Sequence, residues 1–394
     1  MKFIFVNRFY APDISATSQL LSDAASHLAE SRDVHVVTSR LSYEGHDVYS
    51  AEEVVDGVCV QRIWSTRFGR GNLAGRACDY LTFYLSVFFR LLALAKKRDV
   101  VIAKTDPPML SIPVSWAASI KGAMLVNWLQ DLFPEVATAL GMKLPASLAG
   151  FVRAVRNTSL TSAEVNIAIG DAMRNRILKE GVNTDRVVVV PNWSDGEAIV
   201  PKADSELRRE WQLEGKFVVG YSGNFGRAHE YGTLATAIGQ LRSEAAIRFL
   251  MVGGGVYMDQ LRSNALPNCE FKPSQPREKL PDTLTLPDVH LVSLLPELEG
   301  LILPSKVYGI LAAGRPIINI GDPQGEVGCL VSSHGLGFNV AVGDVGELVR
   351  VVQYLAAHPE DVQSKGHAAR RLFEEQFGQV RSLRKLGDTL CRLT

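Results

Sequence analysis

The sequence has no excess of either charge: Lys and Arg total 42, and so do Asp and Glu. Such a balance excludes bulk electrostatic attraction to nucleic acid. Cysteine is sparse. Cys59, Cys78, Cys269, Cys329 and Cys391 lie far apart, with no CxxC pair and no His/Cys cluster at zinc spacing. That excludes a disulfide framework or a zinc module and predicts reduced thiols. No apolar run reaches the roughly 20 residues that span a bilayer. The opening MKFIFVNRFYAPD has one Lys and a short apolar run before polar residues, so it reads as a strand rather than a signal peptide. Low-complexity segments and short internal repeats are absent.

What is present is a globular composition, 46% apolar and 21% charged, over 394 residues. That length predicts two domains. Short apolar runs alternate with helical patterns. The first half reads as strands at 2–7, 33–39, 59–64, 99–104, 123–129, 164–169 and 186–192. Most are continuously apolar, which suits parallel strands covered on both faces. Between the first two, Leu20, Leu21, Ala24 and Leu28 share one helical face. The pattern restarts after residues 193–205, with strands at 216–223, 247–255, 289–294, 316–321 and 337–344. An α/β fold of two Rossmann-like, doubly wound parallel sheets is expected. The expected domains are 1–195 and 196–374, with a terminal helix at about 375–394 reaching back over the first.

Open α/β sheets bind ligands beyond the carboxyl ends of their strands, and two such domains facing each other would form a central cleft. The loop YSGNFGR follows a strand and holds Gly223, Asn224, Gly226 and Arg227. Glycines admit close backbone approach, amides attract phosphate, and an Arg adds a bidentate donor. The alternative is an ordinary strand-to-helix turn. MVGGG, with Gly253 and Gly255, lacks the third Gly of a dinucleotide fingerprint and reads as a tight turn beside the cleft. LPSKVYGILAAGRP predicts a short helix opened by Pro304 and stopped by Gly314, with Ser305 as cap or ligand donor. Free amides at 304–307 and the Lys306 charge would make an anion site, Val307 included; the alternative is a capped helix with a solvated Lys. After the first strand, Ser15 and Thr17 precede a helix. NWLQDLFPE places Gln130, Asp131 and Glu135 at a strand end, where a carboxylate can act as base, bind sugar hydroxyls or close an Asx turn.

Residues 80–95 carry one charge, Arg90, and from 62 to 98 there are eight basic residues against one acid, Asp79. The basic set is Arg62, Arg67, Arg70, Arg76, Arg90, Lys96, Lys97 and Arg98. A basic-rimmed aromatic helix fits an anionic membrane surface; a buried crossover helix is the other reading.

Taken in order, FYAPDISATSQLL, QDLFPE, VVVVPNWSD, YSGNFGR, MVGGG, LPSKVYGILAAGRPIINIGDPQGE and GFNVAVGD resemble a retaining glycosyltransferase of family four, of GT-B architecture. The likeness covers nearly the whole chain and is strongest to the bacterial branch that makes O-antigen, capsule and exopolysaccharide. It implies a nucleotide-diphosphate sugar held by the second domain through Gly223, Asn224, Gly226, Gly253, Ser305 and Val307. It also implies a lipid-linked saccharide acceptor, carried on a polyprenyl diphosphate and bound by the first domain near Ser15, Thr17, Gln130 and Glu135. Arg227, Lys306 and Asp131 would carry catalysis, with no metal, no cofactor and no nucleic acid. The implied location is the cytoplasmic face of the cell membrane. Four positions depart from the family pattern. Leu301 and Gly309 stand where two glutamates are usual, one of them ribose-binding, and Gln130-Asp131 stands for His-Asp. The usual Arg-then-Lys pair is reduced to Arg227. Glu299 or Glu326 could replace the ribose ligand, Glu326 more credibly. A nucleotide-sugar epimerase of the same architecture and a non-catalytic membrane-associated assembly protein remain alternatives.

Overall fold

The computed structural model describes residues 1–13, 15–43, 48–69, 73–143, 145–202 and 205–393. The chain forms two compact units, Met1–Pro191 with Leu383–Thr394, and Asn192–Ser382. The break thus falls four residues before the position read from the sequence, and residues 383–394 belong with the first unit.

The first unit holds β1 (Lys2–Val6), β2 (Asp33–Ser39), β3 (Glu52–Val55), β4 (Val58–Ile63), β5 (Val100–Ala103), β6 (Met124–Trp128), β7 (Val165–Ala168) and β8 (Val187–Val189). Their order across the sheet is β3-β4-β2-β1-β5-β6-β7-β8. All pairs are parallel except β3–β4. That hairpin turns at Asp56-Gly57, both at positive φ, the favoured chemistry for a two-residue loop. The second unit holds β9 (Phe217–Asn224), β10 (Ile247–Gly254), β11 (Cys269–Lys272), β12 (Val289–Ser293), β13 (Ile317–Ile320) and β14 (Gly337–Val340), in the order β11-β10-β9-β12-β13-β14, all parallel.

Every residue of β5, β7 and β13 is buried, as strands covered on both faces require. In the first unit Ile4, Val6, Val37 and Val101 pack with Phe83, Val87 and Leu91 of helix Leu73–Leu94. In the second, Val219, Met251 and Leu291 face Leu234, Ile238 and Val352, while Val292 and Ile317 face Val307, Leu311 and Phe373. Strand order reverses between β1 and β5 and again between β9 and β12. Those two reversals are where each sheet opens a crevice for a ligand.

Candidate active site

At the reversal in the second sheet, β9 and β10 end side by side in glycine turns. Gly223 and Gly253 have φ of +119° and +124°. A Cβ on Gly253 would lie 2.4 Å from the Gly223 carbonyl oxygen, and one on Gly255 2.7 Å from that of Phe225. These glycines therefore let two strand ends abut, the structural role expected of MVGGG. The turn leaves Asn224 and Arg227 exposed, and Arg227 has no hydrogen-bond or ion-pair partner among the described residues.

Lys306 opens helix Lys306–Ala312 and turns its ammonium toward this glycine turn. Its Nζ is buried, has no hydrogen-bond partner, and lies 3.6 Å from the centre of the Tyr221 ring. A Cβ on Gly223 would stand 3.9 Å from it, so glycine keeps the space before the ammonium open. Burial pushes the Lys306 ammonium well below its ordinary range. The aromatic face offsets part of that cost; no counter-charge among the described residues does. A buried, uncompensated cation at a strand-end crevice marks a functional position. Beside it, His229 donates from Nδ1 to the Ser293 carbonyl at 2.6 Å. Burial, reinforced by the Lys306 charge, holds His229 down at about 4, so the ring is neutral at pH 7. Glu230 is committed to capping, its carboxylate accepting from the amides of Gly232 and Thr233, each at 2.8 Å.

In the first sheet's crevice, β5 runs into Lys104, Thr105 and Asp106, and Arg8 follows β1, its amide donating to the Asp106 carbonyl at 2.8 Å. Lys104 is 1% exposed and its Nζ has no hydrogen-bond partner. It sits 3.7 Å from the centre of the Trp128 ring. Burial pushes this ammonium down to about 7 against the opposing pull of Asp106 and Asp23. After β6, burial and then the Asp106 charge push the Asp131 carboxyl up to about 7. Both groups line one small cavity with Thr105, Ser111 and Arg156.

The same unit presents an apolar surface. Leu81, Leu85 and Phe89 lie four apart on helix Leu73–Leu94, opposite its core face, and each is more than half exposed. Trp116 and Ile120 on helix Ser111–Lys121 and Phe151 on helix Ala146–Ser162 extend the patch.

Two crevices with buried cations, on two Rossmann-like units, call for comparison with known proteins. Residues 17–193, most of the first unit, match the model of the glycosyl transferase 4-like domain. The probable glycosyltransferase WbjE of Pseudomonas aeruginosa is 28% identical over 322 residues, 79% of this chain and 78% of the relative. The putative colanic acid biosynthesis glycosyl transferase WcaI of Escherichia coli K12 is 26% identical over 95% of this chain and 97% of its own. Among solved structures, Anabaena Alr3699/HepE in complex with UDP superposes with a TM-score of 0.74 at 16% identity, over the whole of both chains. Sucrose-phosphate synthase from Thermosynechococcus elongatus gives 0.79 at 16% identity, over 100% of this chain and 99% of that one. The chain is a glycosyltransferase with the GT-B fold, and its first unit carries the glycosyl transferase 4-like domain.

In this glycosyltransferase the residues named from sequence separate into several groups. Gly223, Asn224, Gly226, Arg227 and Lys306 meet at the second-unit crevice. Ser305 beside them is exposed and makes no capping bond through its side chain. Val307 is instead a core residue, 2% exposed, and its amide is taken by the Pro304 carbonyl at 3.2 Å. Pro304 has no N–H, so of the four amides expected at 304–307 only those of Ser305 and Lys306 are available. The Glu299 carboxylate lies over Gly325 and accepts the Glu326 amide at 3.1 Å, capping helix Glu326–His334. Glu326 stands close enough to Tyr308 for its charge, after burial, to help push that hydroxyl up. Gly309 faces Leu284 and Ser194, so it lies inside the second unit's core.

On the first unit, Ser15 caps helix Ala16–Ala29 by accepting the Ser18 amide at 3.2 Å, and Thr17 lies 3.4 Å from it. The Gln130 amide donates to Thr105 Oγ1 at 3.3 Å, tying it to the Lys104 loop. Glu135 is held by Arg156 at 2.7 Å, and Arg156 also reaches Asn157. This network answers why Glu135 is there without a ligand. The expected basic rim is thinner than counted. Arg62 is buried, paired with Glu53 at 2.5 Å, and Arg90 binds Glu52 at 2.6 Å and Gln61 at 2.9 Å. Arg70 lies outside the described residues. Lys96, Lys97 and Arg98 are exposed. The expectation that no segment is long and apolar enough for a bilayer also needs correction. Helix Ala74–Leu94 meets that criterion by length and composition, because Thr82, Ser86 and Arg90 interrupt the run without lowering its mean hydropathy enough. Its Phe83, Val87 and Leu91 are nevertheless packed in the domain core.

Lys104 and Arg8 were passed over in the sequence. A Lys directly after four apolar strand residues, VVIAK, was the available signal: a charge at the carboxyl end of a parallel strand faces the ligand crevice.

Proposed function

We propose that this glycosyltransferase takes part in bacterial surface polysaccharide synthesis, moving a sugar from a nucleoside-diphosphate sugar to a lipid-linked saccharide with retention and without a metal. The named relatives support the polysaccharide assignment, WcaI through its colanic acid title. The observation that carries the donor assignment is the Lys306 ammonium, buried, unpartnered and aimed at the open glycine turn. A diphosphate would supply the missing counter-charge.

In this reading Lys306 and the exposed Arg227 hold the diphosphate, helped by the amides of Ser305 and Lys306. As the bond from the sugar C1 to the diphosphate oxygen breaks, negative charge grows on the leaving group, and both cations stabilise it where a metal would otherwise be required. The acceptor hydroxyl oxygen bonds C1 from the face the diphosphate leaves, and its proton passes to the departing phosphate oxygen. No enzyme nucleophile is used. Glu326 takes the ribose. In the first unit Asp131 and Gln130 receive acceptor hydroxyls, Asp131 serving as donor or acceptor because it titrates near neutrality. The exposed apolar patch, with Lys96, Lys97 and Arg98, docks the enzyme on an anionic membrane surface.

Calorimetry with UDP and GDP tests the donor site. Arg227→Ala and Lys306→Met should each weaken nucleotide binding roughly tenfold or more, as loss of a charge-assisted phosphate bond does. Unchanged affinity in both variants would place the donor elsewhere. Wild-type protein should also transfer label from one of the UDP-, GDP- or dTDP-sugars to a lipid-linked acceptor; transfer from none of them would defeat the reading.

A further inference from the structure

Tyr221, near the end of β9, is 0% exposed and belongs to the core of the second unit. Packing there calls for an aromatic ring, not for a phenol. Two contacts set this side chain apart from its core neighbours. Its ring face carries the Lys306 ammonium, 3.6 Å from the ring centre. Its hydroxyl donates to the Asn224 carbonyl at 2.9 Å. The first contact holds one of the two cations of the crevice. The second holds the loop from which the other, Arg227, projects.

A lysine side chain loses much rotamer freedom when it is ordered. Lys306 makes no hydrogen bond among the described residues that would offset this loss. The Tyr221 ring is the contact that keeps its ammonium in the crevice. The phenol does not act as a counter-ion. Burial pushes it up, and its proton is committed to Asn224, so ring electrons rather than a charge face the ammonium. The plane of the ring is itself fixed. Phe225 stands 4.8 Å away, and His229 stands edge-on at 5.8 Å and 82°. His229 is anchored in turn to the Ser293 carbonyl at the end of β12.

The hydroxyl grips the loop at its turning point. The Phe225 amide donates to the Gly254 carbonyl at 2.7 Å, and the His229 amide to that of Gly226 at 3.1 Å. Those bonds tie the loop to β10 and close it on itself. The Tyr221 hydroxyl ties it to the core beneath, just before Arg227.

We propose that Tyr221 is the positioning residue of the donor site: its ring aims Lys306 at the diphosphate, and its hydroxyl sets the loop that presents Arg227. The proposal rests on the diphosphate reading above and adds what aligns the two cations before the nucleotide arrives. Because it is fully covered, Tyr221 acts through Lys306 and the loop and not on the nucleotide.

A fluorine series separates this role from simple packing. Tyr221 is replaced by phenylalanine and then by mono-, tri- and pentafluorophenylalanine, which nearly keep the ring's shape while draining its π face. Calorimetry with UDP and GDP then reads nucleotide affinity. It should fall stepwise along the series, roughly tenfold from phenylalanine to the pentafluoro ring. In a Lys306→Met background the series should be flat, because the ring then has no cation to hold. A flat series in the presence of Lys306 overturns the ring's role. Tyr221→Phe by itself should cost roughly three- to tenfold in affinity. Asn224 is exposed, so water can replace the lost hydroxyl and the fold is spared. Arg227→Ala should cost less in Tyr221→Phe than in wild type; full additivity overturns the hydroxyl's role. Binding of neither nucleotide, or unchanged affinity in both Lys306→Met and Arg227→Ala, defeats the diphosphate reading itself. If those two variants weaken binding while the series stays flat and the losses add, the diphosphate reading stands and Tyr221 is only a core residue.

Discussion

Lys104→Met should stabilise this protein, and by an amount that depends on pH. Burial holds the ammonium at about 7 against an ordinary 10.5. The unfolded chain keeps its proton there up to pH 10.5, while the folded chain releases it near 7. Between those limits the unfolded state binds more protons, so stability rises with pH, by on the order of 1 kcal/mol per unit. The cost of burying the charge is fully present below pH 7 and gone above about 10.5. Asp131 acts in the opposite sense. Its folded carboxyl keeps a proton to about 7, whereas the unfolded one loses it near 3.8. There the native state binds more protons, so stability falls as pH rises from about 4 to 7. Together the two groups contribute least near neutrality. Urea unfolding of wild type, Lys104→Met and Asp131→Asn from pH 5 to 10 reads both limbs. The advantage of Lys104→Met over wild type should be several kcal/mol at pH 6, on the order of the shift itself, and should close toward pH 10. The advantage of Asp131→Asn should open between pH 5 and 7. Parallel curves for wild type and Lys104→Met from pH 7 to 10 would refute the reasoning, because the ammonium would then be held charged by Asp106, Asp23 and the Trp128 face.

Other expectations follow from single positions. Gly253→Ala adds a Cβ 2.4 Å from the Gly223 carbonyl at a φ of +124°, and should cost about 3 kcal/mol in unfolding experiments. Gly226→Ala meets only the Asn224 side chain at 3.2 Å and should cost less than about 1 kcal/mol; equal losses would mean the glycine turns are not what lets β9 and β10 abut. Glu326→Gln should abolish discrimination between UDP and 2′-deoxy-UDP, whereas Glu299→Gln should lower the melting point and leave that ratio alone; the reverse pattern would reassign the ribose ligand. The protein should cosediment with anionic liposomes in low salt and be released as the screening length shrinks from about 10 Å at 0.1 M toward 3 Å at 1 M. Phe89→Ser should weaken that binding at every salt concentration, and recovery in the supernatant regardless of liposomes would remove the membrane surface from the scheme.

The alternation of strand and helix was readable in the chain because β5, β7 and β13 are buried on both faces, which demands the largely apolar runs seen at 100–103, 165–168 and 317–320, broken only by Asn166 and Asn319. The same holds for Gly223, Gly253 and Gly255, whose positive φ follows from backbone packing at strand ends. Two strands escaped notice. β3 is half of a hairpin whose Asp-Gly turn was a usable signal, and β11 is a part-buried edge strand with weaker patterning.

What the chain could not disclose by itself is which charges are already spent. Glu135, Glu230 and Glu299 look alike in sequence, yet each is bound to an Arg or to a helix amide. Arg62 and Arg90 counted toward a basic surface until Glu53 and Glu52, on the neighbouring hairpin strand, were found to neutralise them. Lys104 and Lys306 show the converse: their ammonium groups have no hydrogen-bond partner among the described residues. Composition and spacing determine which residues can form a parallel sheet and which stand at its carboxyl edge, because those depend on local periodicity. Whether a charge at that edge is free depends on residues tens of positions away, since Coulomb and desolvation energies follow distance in space, and only the tertiary structure sets that distance.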